Sequence, residues 1–268
     1  MSLPVLSSTD TQTASSSHIA PWWGAWSAIL IVGCFFLTQA IGIFVLQMAA
    51  GLSTGPSKGI GGLIALDQTW VLPLSLLLGT IGATMVSWQV ATRRAKPSMD
   101  GVWFWDLFGK SYDLYNLWRF VLLGLGLGVG FFALTEYGVL PPDDLPQPIF
   151  DAMMGAPLVL QIGWALMFVV LFPVVEETLF RGFLFTGLAQ SWGPILAGIV
   201  TTVLFVAVHM PKVLEYWPAL LAVSLIGSLT VLIRIHTESL APGIAMHCTY
   251  NGVLVTSAFL THTSSSSV

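Results

Sequence analysis

Charged side chains are scarce in this 268-residue chain: Asp, Glu, Lys and Arg together make up 8% of it, against about 25% in an ordinary soluble domain. A soluble globule could not cover its exterior with so few polar groups, because 55% of the residues are hydrophobic. A bilayer removes that constraint, since the outside of the protein can then be as apolar as the inside. Cysteine is also rare. Cys34 and Cys248 both lie in apolar runs, which points to small buried hydrophobes rather than a disulfide or metal pair. The Ser/Thr-rich first twenty residues lack the basic n-region of a cleavable signal peptide, so a retained, disordered tail is expected. The stretch after Thr261 has the same character and no C-terminal Cys motif, so the chain is not expected to be prenylated itself. The net charge of −4 decides little, and no nucleic-acid partner is expected.

What is abundant is apolar sequence, with 11 Trp and 16 Phe of the kind enriched at membrane interfaces. Runs of about 20 apolar residues are long enough to cross a hydrocarbon core of roughly 30 Å. They fall at Trp22–Met48, Val71–Val90, Phe120–Tyr137, Pro157–Val175, Pro194–His209, Pro218–Ile233 and Leu240–Leu260. The expected fold is therefore all-α, a polytopic transmembrane helical bundle of about seven spans bathed in membrane lipid. Pro/Gly-rich connectors, Gly51 to Gly62 and Pro141 to Pro146, follow the first and third spans. The segment Thr92 to Trp118, with Trp103, Phe104, Trp105, Leu107 and Phe108, is expected to lie along the membrane surface between spans two and three. The organisation expected is a disordered tail over 1–20, N-terminal helices with their interfacial loop over 21–150, a helical core over 151–262 and a tail over 263–268.

Basic residues set the orientation. Arg93, Arg94, Lys96, Lys110 and Arg119 cluster between spans two and three, which makes that loop and the N-terminus cytoplasmic and the acidic Pro141–Asp151 connector external. Lys58 and Lys212 fall on the other side, as the rule tolerates. Gly124, Gly126, Gly128 and Gly130 alternate in the third span and suit close helix contact. No strand precedes them, so they form no nucleotide loop.

Ionisable residues inside spans are costly and mark candidate sites. Glu176, Glu177 and Arg181 end the fourth span, Phe205 and His209 end the fifth, and His247 and Asn251 lie in the seventh. Glu177 and Arg181 are i,i+4 with the acid N-terminal, the better order for a helix ion pair. Glu176 is turned about 100° away. One carboxylate is thus neutralised and the other left for chemistry. Phe205 shares a face with His209, and His247 with Asn251. If the chain reverses near Trp192-Gly193, Glu176 and His209 lie equally far from the turn and meet at similar depth, with His247 shallower.

The spacings Glu176-Glu177-x-x-x-Arg181, Phe205-x-x-x-His209 and His247-x-x-x-Asn251 resemble the three motifs of the CPBP family, which includes the type II CAAX prenyl proteases and Abi-like bacteriocin-processing proteins. The resemblance spans about residues 157 to 260. It implies an intramembrane endopeptidase, hydrolysing a peptide bond of a membrane-associated or lipidated protein from a cavity on the cytoplasmic side. Glu176 and His209 would activate water, His247 and Asn251 would stabilise the oxyanion, and Glu177 with Arg181 would brace the site beside Phe205. No cofactor is expected. The His-Glu-x-x-His helix of typical zinc proteases is absent, although Glu176, His209 and His247 leave a two-His, one-carboxylate zinc site open. A non-proteolytic scaffold or assembly factor working with a membrane-protein partner is the alternative. An ion-coupled transporter is disfavoured by the lack of a visible repeat. The host membrane is a plasma membrane or an internal one such as a thylakoid.

Overall fold

The computed structural model describes residues 23–53, 71–94, 108–140, 153–210 and 216–265. The tail over 1–20, residues 95–107 of the expected surface segment (Trp103, Phe104, Trp105 and Leu107 included) and the Pro141–Asp151 connector lie outside these residues. Seven long helices fill the described part: α1 Ala25–Ser53, α2 Val71–Arg94, α3 Trp118–Glu136, α4 Leu158–Trp192, α5 Pro194–Val208, α6 Pro218–Thr237 and α7 Ala241–Ser265. The chain is thus an all-α membrane bundle, and each expected span falls on one helix. By length and apolar composition, α1, α4, α6 and the stretch Leu114–Glu136 ending in α3 are each sufficient to cross a bilayer, whereas α5 is apolar but shorter. Their outer faces carry exposed aliphatic side chains such as Val159, Ile195 and Val203, which suit lipid rather than water. Helix α1 runs through Gly51 to Ser53, so the first connector starts later than expected, and α7 extends to Ser265, inside the expected tail.

Helix α4 is the principal departure. The fourth span was expected to stop at Val175, where two carboxylates follow an apolar run, but the helix continues to Trp192. Two π-helical turns, Met167–Leu171 and Thr178–Leu184, flank a short α-helical stretch Phe172–Glu177. Pro173 has no N–H to give the preceding turn, and a wide turn is one way a helix absorbs that loss. The motif carboxylates therefore sit mid-helix, where packing from several sides can hold them. Helix α4 ends where Gly193 takes φ 80° and ψ 162°, a conformation suited to glycine, and Pro194 opens α5. The expected reversal at Trp192-Gly193 is there.

Around α4 the helices pair off: α1 along α2, α3 along α7, and α5 against both α4 and α6. Helix α4 touches α1, α5, α6 and α7. Its contact with α1 is fixed by Trp23, whose Nε1–H donates to the Phe183 carbonyl at 3.1 Å, and by Gly187, where an added Cβ would lie 2.6 Å from Ala28 Cβ. A second clasp joins the residues before α3 to the α6–α7 turn. Arg234 Nη1 donates to the carbonyls of Phe108 and Glu238, both at 3.0 Å, and Lys110 pairs with Glu238 at 2.9 Å. Glu238 sits in the left-handed region at φ 54° to make that turn.

The four alternating glycines divide by face. A Cβ on Gly124 would run into the Met246 carbonyl of α7, and one on Gly128 would lie 2.7 Å from Val253 Cβ. Gly126 and Gly130 face open space. Gly128→Leu should therefore destabilise the protein, by about 1–3 kcal/mol if the helices can shift to admit it. Gly126→Leu should leave it unchanged. Thermal melting of the two variants in the same detergent checks this contrast, and equal melting temperatures would contradict it.

Candidate active site

The three motif segments converge on Glu176. Its Oε1 faces His209 Nε2 at 3.9 Å and its Oε2 faces His247 Nε2 at 3.8 Å. These separations exceed a hydrogen bond but lie within ion-pair reach, and active-site contacts commonly tighten once substrate is bound. Glu176 thus stands between two imidazoles, one at each carboxylate oxygen. The sequence-based pairing of Glu176 with His209 across the hairpin holds. The expectation that His247 lies shallower does not, since it approaches Glu176 as closely as His209 does. Counting residues from the α6–α7 turn assumed that both turns lie at one level, and α7 instead starts close to Glu177, whose Oε2 would lie 3.5 Å from a Cβ added at Gly243.

Each imidazole is oriented by its other nitrogen. His209 Nδ1 lies 2.7 Å from the Phe205 carbonyl. A carbonyl can only accept, so Nδ1 carries a proton, and Nε2 is the nitrogen turned toward Glu176. His247 Nδ1 lies 3.0 Å from Glu177 Oε1, a contact the i,i+4 spacing alone did not reveal. Asn251 donates from Nδ2 to the Phe168 carbonyl at 2.9 Å. Phe168 belongs to the first π-helical turn of α4, so Asn251 ties α7 to α4 one turn and more before the carboxylates. One Nδ2 hydrogen is committed there and the other is left.

Glu177 and Arg181 are both 1% exposed. Arg181 Nη1 approaches Glu177 Oε1 at 3.3 Å, while Nη2 donates to the Gly227 carbonyl of α6 at 2.7 Å. The guanidinium carbon lies 4.4 Å from the centroid of the Phe205 ring, a cation–π contact of the kind that gains strength when desolvated. Phe205 in turn packs tilted on His209 at 4.6 Å and edge-on to Phe180 at 5.1 Å. One ring therefore joins the buried cation to an imidazole of the site.

Glu176 and His209 open on a cleft of about 110 Å³. Phe172, Val175 and Leu179 of α4 and Val208 of α5 form one wall, and Phe35, Phe36 and Gln39 of α1 with Thr80 of α2 form the other. The contribution of α1 and α2 was missed in the sequence, where hydrophobicity alone described the first 150 residues. The signal available was Gln39, an amide inside an apolar span. Among the described residues, no three His, Cys, Asp or Glu side chains come together as a metal-binding set.

A buried charge left without its partner is strongly destabilising, by about 3–5 kcal/mol. Glu177→Ala and Arg181→Ala should each lower the melting temperature in detergent. The double replacement Glu177→Leu, Arg181→Met should cost less than either, because no orphan charge remains. Single variants as stable as the wild type would show that the pair carries no structural load.

No curated protein and no solved structure matches the chain. Residues 158–253, from the start of α4 to the middle of α7, match the family model described as type II CAAX prenyl endopeptidase Rce1-like. All three motif segments lie inside the match. The match supports membership of the CPBP family for this helical core.

Proposed function

We propose that the chain hydrolyses a peptide bond of a membrane-associated or lipidated protein, using water activated by Glu176. The observation that supports this most is the unequal fate of two adjacent carboxylates: Glu177 is buried against Arg181 and His247, while Glu176 faces the cleft. With Nδ1–H given to Phe205, His209 accepts one hydrogen of a water at Nε2 and Glu176 accepts the other. The water oxygen then has a lone pair free for the scissile carbonyl carbon. Glu176 takes the proton as the C–O bond forms, and later returns it to the departing amine. His247, its Nδ1–H held by Glu177, donates to the oxyanion from Nε2 in its doubly protonated form. The remaining Nδ2 hydrogen of Asn251 adds a second donor. Two carboxylates then balance one guanidinium and one imidazolium.

Zinc would be held, if at all, by Glu176, His209 and His247. The imidazoles face different oxygens of Glu176, and the donors do not gather as a set, so no step is assigned to a metal. A purified sample treated with chelator should cleave a farnesylated Cys-Val-Ile-Met peptide as fast as an untreated one. Activity lost on chelation and restored by stoichiometric zinc would overturn the metal-free assignment.

The cleft is assigned to the cytoplasmic side. Lys110 is clasped to the α6–α7 turn, and the basic cluster around it is the cytoplasmic signature. In a background lacking Cys34 and Cys248, Lys110→Cys should react with an impermeant thiol reagent from the cytoplasmic face. Reaction from the opposite face alone would invert the orientation.

A further inference from the structure

Gln39 is an uncharged amide in the apolar helix α1, where burying a polar group without a partner costs a few kcal/mol. Its Nε2 donates to Thr80 Oγ1 of α2 at 3.0 Å. Thr80 is 1% exposed, so that end of the pair is sealed between the helices. Joining α1 to α2 uses one N–H. Among the described residues, the second N–H and Oε1 of Gln39 make no further hydrogen bond. Gln39 also lines the cleft on the side opposite Glu176 and His209. An amide that presents one donor and one acceptor to a cleft matches the donor and acceptor of a peptide unit.

The size and lining of the cleft narrow the occupant. An apolar cavity of about 150 Å³ admits a benzene ring, so 110 Å³ suits a single aliphatic side chain. It is too small for a fifteen-carbon prenyl chain, which must lie elsewhere. Phe35 and Phe36 stand one turn from Gln39 on the same helix, and the Phe36 ring packs on the Phe180 ring with centroids 6.1 Å apart at the edge of the cleft. These rings give the side chain an apolar seat beside the amide. None of α1 or α2 falls within residues 158–253, so this wall is supplied from outside the family core.

We infer that Gln39, held in place by Thr80, is a substrate-positioning residue that hydrogen-bonds the backbone of an extended peptide next to the bond cleaved, with an aliphatic side chain against Phe35 and Phe36. This rests on the proteolytic reading above and specifies how its substrate is held. Gln39 touches no reacting atom, so its loss acts on binding. Thr80 serves the orientation of the amide, and a purely structural pair would behave differently when only Thr80 is changed.

The test uses the full-length protein in lipid nanodiscs and the farnesylated Cys-Val-Ile-Met peptide, with analogues N-methylated at Ile or at Met. For Gln39→Leu, KM should rise roughly tenfold, the effect of one lost hydrogen bond, with kcat within about threefold. One of the two N-methyl peptides should lose a similar factor with the wild type but under about twofold with Gln39→Leu, since the bond is already gone. Thr80→Val should raise KM in the same direction while retaining that sensitivity. Unchanged KM in Gln39→Leu, or equal sensitivity of both proteins to each N-methyl peptide, overturns the subsite and leaves proteolysis standing. If Gln39→Leu does not fold, the wild type alone decides: indifference to both methyl groups overturns the proposal, and a loss with one supports it. Absence of cleavage by the wild type sinks both readings together.

Discussion

Glu177 and Arg181 are two charges almost wholly removed from water, and taking each out of solvent costs several kcal/mol. Mutual attraction at 3.3 Å recovers part of that, and the surroundings must recover the rest. Arg181 spends a second nitrogen on the Gly227 carbonyl and lies over the face of Phe205; Glu177 accepts from His247. The contacts of this pair therefore fix α4 against α5, α6 and α7 at one point. Gly227 has to be small for this to happen, because a Cβ there would stand 3.1 Å from Phe205. With Glu177 committed, Glu176 is the carboxylate that remains for the cleft, and His247 has one ring nitrogen already spoken for. Division of labour between two adjacent, chemically identical side chains follows from which one meets the arginine.

Much of this geometry was legible in the sequence because it is local or symmetric about a turn. The i,i+4 spacing of Glu177 and Arg181 is a helix property, and a reversal at Trp192-Gly193 brings Glu176 to His209. Contacts without periodic signature were not legible. The reach of His247 to Glu177 depends on where α7 enters, which the length of its apolar run does not encode. The bond from Asn251 to the Phe168 carbonyl depends on a π-helical turn, which has no counterpart in a 3.6-residue pattern. The fourth span seemed to end at Val175 because carboxylates usually mark the edge of the membrane. They are interior here because Arg181 on the same helix and imidazoles from neighbouring helices accompany them.

The N-terminal helices also gain meaning only in three dimensions. Hydropathy describes α1 and α2 as spans and nothing more, yet they close the cleft with Phe35, Phe36, Gln39 and Thr80. Position along α1 is set by Trp23 on the Phe183 carbonyl and by the close approach of Ala28 to Gly187. Those anchors belong to the half of α4 that follows the carboxylates. The wall facing Glu176 is thus indexed to the same helix that carries Glu176, which keeps the two sides of the cleft in register. At the far side, the clasp of Phe108 and Lys110 on the α6–α7 turn holds the start of α7, six residues before His247.

The central claim is that Glu176 performs chemistry and is not needed for folding. The direct measurement is peptide turnover by purified Glu176→Gln alongside its melting temperature. The amide keeps the shape of the carboxylate but cannot take a proton from water. The account predicts that turnover falls by at least about a hundredfold, as expected for loss of a general base, with the melting temperature unchanged. Turnover near the wild-type rate in a fully folded sample would contradict it.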